Sequence, residues 1–272
     1  LTATLGQPGF FEPNLPGPWL SLRGARQATS FYDSAPLRRT LHELVDFERI
    51  NAGGTRLAVG AVNVVTGNLR YFDSAAESIR PEHVLASGAL PPALPMVAIG
   101  EDPYWDGGLV SNTPLQHVLD TAGSLNTLVF QVDLFSARGV VPRDMPDVLS
   151  RQKDIQYSSR TRMVTDIYRR QHESDRRLRD LLRKVPEAAL DEEELALRGR
   201  LERLPAIVVL QLIYQSRAFE DQAKDYEFSA RSMREHWEAG YRDTERTLRQ
   251  PDWLAMPADE GIVMHDIHRI DG

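Results

Sequence analysis

The sequence contains no cysteine. That excludes disulfides and thiol catalysis, and it fits a reducing compartment such as the cytoplasm. No apolar run approaches the ~20 residues that cross a bilayer as a helix, and no secretory leader is visible. Internal repeats and low-complexity linkers are also missing. Basic excess is lacking too: 39 acidic residues against 32 basic ones leave a net charge of -7, which argues against a nucleic-acid partner held through its phosphates. One further absence bears on chemistry. No Gly-x-Ser-x-Gly occurs anywhere in the chain, so a serine on a glycine-flanked elbow is not among these residues.

What is present is ordinary for a globular protein: 42% hydrophobic and 26% charged residues over 272 positions. That length suffices for one large or two modest domains. Leu1 to Trp19 is rich in Gly, Pro and Phe and suits a loop between elements. Ser34 to Glu48 has helical spacing, with Pro36 in its first turn. Arg56 to Val65 and Leu69 to Phe72 form a hairpin pattern around Thr66-Gly67-Asn68. Short helices are expected at Pro81 to Ala86 and at Pro114 to Asp120, the second closed by Gly123. Leu125 to Phe135 and Ala206 to Tyr214 read as buried strands of the α/β kind.

Composition changes near Gly139. Between Pro146 and Lys184 charge is dense, and Ile155, Met163, Ile167, Leu178, Leu181 and Leu182 keep an approximate helical stripe. A charged helix is expected from Asp191 to Leu204, its first turn acidic. Another runs from Ser229 to Arg249, with Met233, Trp237, Tyr241, Thr244 and Leu248 on one face.

The chemistry concentrates at Asp106-Gly107-Gly108. A lone Asp-Gly is most often a plain turn. Here it precedes Asn112 and Pro114 and follows Ala86-Ser87-Gly88-Ala89-Leu90-Pro91. A carboxylate that activates a hydroxyl must lie within hydrogen-bond reach of it, on a fixed backbone. Two glycines after it leave room for substrate and permit unusual backbone angles. The preceding Tyr104-Trp105 is placed to wall such a site and exclude water.

These segments, with the strand pair from Val59 to Phe72, resemble the second half of a patatin-like phospholipase, a serine acyl-ester hydrolase. The likeness covers roughly residues 1–140. It implies an α/β fold: part of a patatin-like sheet flanked by helices, followed by a mainly helical extension over residues 141–272. That extension is similar to one found in a bacterial subgroup, on Val129 to Gly139 and Lys224 to Ser229. The resemblance also implies a Ser–Asp dyad that hydrolyses phospholipid or lysophospholipid esters without a cofactor or metal. Asp106 would be its base, Gly107 and Gly108 the active-site loop, and Trp105, Asn112 and Ser87 near neighbours. The family's oxyanion loop and serine would lie before residue 1, so the chain is expected to be a piece of a longer protein and inactive alone.

Ser87 lacks elbow glycines on both sides and reads as structural. His83 and His117 rank behind the dyad as neighbours, since a Ser–His–Asp triad is the other arrangement that activates a serine. His265, Asp266 and His268 suit a charged tail better than a metal site. The arginines at 160, 162, 169, 170, 176, 177 and 179 are interleaved with acids, as on a solvated helix face. Phe10, Phe11 and Trp19 suit either an apolar entrance at a bilayer or a loop packed on the core. The expected partners are an acyl-ester lipid, met peripherally at a membrane surface, and the N-terminal segment of the same protein. Self-association is compatible with the sequence. A non-catalytic lipid-binding or scaffold module on the same fold is the alternative function.

Overall fold

The computed structural model describes residues 2–215, 229–257 and 261–269. The side chains of residues 2, 3, 159–162 and 269 are outside that description, Arg160 and Arg162 among them. So are Lys224 to Phe228, which carried part of the resemblance. The chain divides into two compact units, Leu1–Asn112 and Thr113–Gly272.

The first unit begins with α1 (Thr2–Leu5) and a two-stranded pair, β1 (Glu12–Pro13) with β2 (Tyr32–Asp33). Phe11 is buried against Tyr32, whereas Trp19 stands 88% exposed. Two helices follow, α2 (Ala35–Leu44) and α3 (Phe47–Asn51), where one was expected. Val45 takes an extended conformation and ends the first. Asp46 starts the second by accepting a hydrogen bond from the Arg49 N–H at 2.9 Å, a side-chain N-cap.

The main sheet has the order β4-β3-β6-β5 and is antiparallel throughout. Its strands are β3 (Ala58–Asn63), β4 (Leu69–Asp73), β5 (Val97–Ile99) and β6 (Asp102–Asp106). Gly67, at φ +71°, makes the β3–β4 turn, and Asn63 Oδ1 accepts from the Val65 and Thr66 N–H groups within it. Helix α4 (Pro81–Ser87) packs on this sheet. Ala61, Phe72, Ile79, Leu85, Ala86, Ala89, Val97 and Tyr104 form the core between them.

The second unit holds α5 (Leu115–Ala122), β7 (Thr127–Asp133), α6 (Met145–Leu182), α7 (Glu192–Leu201), β8 (Ile207–Ile213), α8 (Ala230–Leu248), α9 (Pro251–Leu254) and β9 (Ile262–Asp266). Its sheet is parallel, in the order β7-β8-β9, with Thr127 opposite Ile207 and Ile207 opposite Ile262. β8 is buried along Ile207–Gln211, as befits the central strand of a covered parallel sheet. The composition change at Gly139 falls inside this unit, because the hydrogen-bonding partner of β7 is β8. Asp191 and Glu194 cap α7 reciprocally, at 2.8 and 2.9 Å.

Two helices turn faces that their sequences did not suggest. On α6 the stripe of Ile155, Met163, Ile167, Leu178 and Leu181 is exposed, while Asp154, Ser158, Thr165, His172 and Arg179 are buried. On α8, Met233, Trp237, Tyr241 and Leu248 are exposed and Thr247 is buried. The α6 arginines are mostly solvated, as expected: Arg169 pairs with Asp166 and Arg177 with Glu173 along the helix. Arg179 is the exception and is buried. His265 and His268 do not lie on a frayed tail. His265 sits in β9 stacked on Trp253 at 4.7 Å, and His268 meets Asp243 at 3.2 Å. No helix among the described residues is long and apolar enough to cross a membrane.

Phe72 ties the first unit together. It is fully buried, stacks on the His83 ring at 4.5 Å and meets Tyr104 edge-on at 5.3 Å. Phe72→Ala removes both contacts and leaves a void, so it should cost about 3–5 kcal/mol in urea unfolding followed by circular dichroism. A loss below about 1 kcal/mol would show that this cluster is not the core.

Candidate active site

Asp106 is the last residue of β6, and its Cα lies opposite Ala61 of β3. Its backbone N–H donates to the Ala89 carbonyl at 3.0 Å, which pins the strand end to the segment after α4. The chain then turns at once into one 3-10 turn, Gly107–Leu109. The Val110 and Ser111 N–H groups both donate to the Gly107 carbonyl, at 3.0 and 2.8 Å.

Both glycines have a steric reason. A Cβ on Gly107 would come within 2.4 Å of the Gly60 carbonyl oxygen and 2.7 Å of its carbon. Backbone presses on backbone there, and no side chain fits. A Cβ on Gly108 would lie 3.0 Å from Asp106 Oδ1 and 3.3 Å from Asn112 Oδ1. Gly108 therefore keeps clear the space beside the carboxylate, and Asn112, itself exposed, borders that same space.

The carboxylate is half-buried, and its Oδ1 accepts the Gly108 N–H at 2.7 Å. Burial pushes its pKa above the ordinary aspartate value, and the Gly108 N–H works in the opposite direction. The result is a fixed, partly desolvated and comparatively basic carboxylate.

The other expected neighbours divide. Ser87 is the last residue of α4, half-buried, and makes no hydrogen bond to Asp106. Trp105 alternates to the opposite face of β6 from Asp106, across from Val62. It therefore does not wall the carboxylate, and its buried Nε1 has no partner among the described residues. Tyr104 shares the Asp106 face but belongs to the core. His83 is a core residue: its Nδ1 accepts the Arg80 N–H at 3.1 Å, and burial lowers its pKa. His117 lies on α5, in the second unit. Among the described residues no cluster of three or more His, Cys, Asp or Glu could hold a metal.

Sequence reasoning missed β6 itself and the contact of Gly107 with Gly60. The available signal was Gly60, a glycine inside an otherwise apolar strand, which marks close backbone approach.

A family model described as patatin-like phospholipase matches residues 9–119, a span that includes Asp106 and both glycines. A second, described as patatin phospholipase, matches residues 155–260. No curated protein matches the chain. The chain belongs to the patatin-like phospholipase family, a family of acyl-ester hydrolases.

Gly107→Ala should destabilise the first unit by about 1–3 kcal/mol, because backbone must move to admit the methyl. Gly54→Ala, where nothing lies within 4 Å, should change stability by less than about 0.5 kcal/mol. Equal effects at both positions in chemical denaturation would contradict the packing described.

Proposed function

We propose that this chain supplies Asp106 as the general base of a Ser–Asp dyad that hydrolyses acyl esters of phospholipids or lysophospholipids. The observation that carries the reading is the setting of that carboxylate. It ends a strand, is held by the Gly108 N–H, opens onto space that only glycine leaves clear, and is made more basic by burial. A base closer to working pH takes a proton from a hydroxyl more effectively.

In this mechanism the serine oxygen attacks the acyl carbonyl while its proton passes to Asp106. The tetrahedral intermediate collapses to an acyl-enzyme, and the alcohol leaves with that proton. Water then attacks the acyl-enzyme and gives a proton to Asp106; the second tetrahedral intermediate breaks its bond to the serine oxygen, the fatty acid leaves, and Asp106 returns the proton to that oxygen, which restores the serine hydroxyl and the carboxylate. Because no Gly-x-Ser-x-Gly is present, the reading assigns the nucleophile and its oxyanion donors to residues outside 1–272.

A lipid substrate is supported by a second feature. Residues 13–32 contain no acidic side chain. Within them Leu15, Trp19, Leu20 and Leu22 are all more than 80% exposed, beside Arg23 and an Arg26 that pairs with Asp33 at 3.2 Å. Apolar side chains next to cations suit contact with an anionic lipid surface.

Asp106→Asn keeps the shape and removes the basicity. In an active protein containing this chain, ester hydrolysis should fall ~10²–10⁴-fold with little change in stability. Retention of more than half the activity would contradict the assignment. A fluorophosphonate probe should leave residues 1–272 unmodified and label a serine outside them in the active protein. An adduct on Ser87 would overturn the placement of the nucleophile. Absence of both an adduct and hydrolysis would favour a non-catalytic lipid-binding module.

A further inference from the structure

Helix α8 packs on β8 and α9, yet it buries polar and small residues. Thr247 is buried, and Ser232, His236, Ala239 and Asp243 are half-buried. The other side of the helix turns Met233, Trp237, Tyr241 and Leu248 to solvent, with Trp237 76% and Tyr241 64% exposed. Met233, Trp237 and Tyr241 stand four apart and form one ridge of the helix surface. Gly240 lies beside that ridge, and a Cβ built on it would meet nothing within 4 Å, so it leaves an open notch. Aromatic and methionine side chains grouped on one exposed stripe mark an interaction face.

The charges along one flank of the stripe select the partner. Arg234, Glu238, Arg242 and Glu245 lie there, all exposed. Glu238 and Arg242 have no ion-pair partner among the described residues. Arg234 donates only its Nε, to the Ala230 carbonyl at 3.0 Å, and Glu245 accepts from Arg249 of the same helix at 2.8 Å. The two glutamates would be repelled by an anionic bilayer. A surface with the same alternation, read in the opposite direction, would meet them favourably.

We propose that this face pairs with itself: two copies of the chain associate through α8 laid antiparallel on α8, about a two-fold axis between Gly240 and Tyr241. That axis sets Tyr241 of each copy against Gly240 of the other, Trp237 against Thr244, and Met233 against Leu248. Large side chains thus meet small ones at the centre, as ridge into groove requires. Two-fold symmetry also brings like flank beside like flank. Arg234 then faces Glu245 and Glu238 faces Arg242, each within about 3 Å of level along the axis. Every such contact occurs twice. A parallel pairing would instead set Arg234 beside Arg234 and Glu238 beside Glu238. The helix has 19 residues and is about 28 Å long, a small interface, so the dimer should be a micromolar one. The face lies wholly within the second unit and is independent of the role of Asp106.

The test is sedimentation velocity on the 272-residue chain from about 1 to about 100 μM. A reversible monomer–dimer equilibrium is expected. Trp237→Asp should weaken it at least ~30-fold, as loss of a central aromatic anchor does, and leave the circular dichroism unchanged because the side chain is exposed. Arg234→Glu and Glu245→Arg should each weaken association about tenfold, since each change acts twice across the axis. The two together should restore it to near the wild-type value, which a merely sticky surface would not do. A wild-type chain that stays monomeric, a dimer that survives Trp237→Asp, or a double variant no tighter than the singles would overturn the proposal. So would a monomeric chain whose binding to phosphatidylglycerol vesicles is lost in Trp237→Asp, which would give the face to lipid.

Discussion

The Gly107 backbone lies so close to the Gly60 carbonyl that a methyl group would overlap it, and the first unit is arranged around that contact. It lets β6 run beside β3 to its last residue and then turn without a gap. Asp106 is that last residue, so its position follows from sheet pairing and not from a mobile loop. Ala89 holds the same residue from the α4 side through its N–H. The core of Phe72, Tyr104, Ala61 and Leu85 fixes the helix and strands on which both restraints depend. A carboxylate carried on such a frame is partly dried and cannot swing freely, which are the two properties a general base needs.

Much of this frame was legible. Apolar β-prone runs at Val59, Val129 and Val208 announced strands that the structure contains. Proline at helix starts and Gly123 past a helix end marked α4 and α5 well. Asp106 was legible through its two glycines and the segments on either side of them. The strands β5 and β6 were not, because Asp102-Pro103 breaks the pattern and proline is a poor strand residue. Pairing overrides that preference: the Pro103 carbonyl accepts the Val64 N–H at 2.9 Å. Trp105 looked like a wall because it adjoins Asp106, but strand alternation sends neighbours to opposite faces.

Helix faces were the weakest point, for a physical reason. Reading a stripe assumes that apolar contact docks the helix. On α6 the inward residues are Ser158, Thr165, His172 and Arg179, seven apart, with Asp154 one turn before Ser158. Hydroxyl, imidazole and guanidinium groups meet the rest of the unit there, and no hydropathy pattern marks them. His172 shows the consequence, since burial lowers its pKa and favours the neutral ring. Nor does composition show that β7 pairs with a strand some eighty residues later.

A role for Asp106 as general base depends on the protonation behaviour of its one carboxyl group. Carbon-13 NMR titration of the Asp106 side chain in this chain measures it without requiring catalysis. The structure predicts a pKa above the ordinary aspartate value of about 3.9, because desolvation outweighs the Gly108 N–H. A value at or below it would mean that the carboxylate is solvated or held as an anion by its turn, a structural cap and not a poised base.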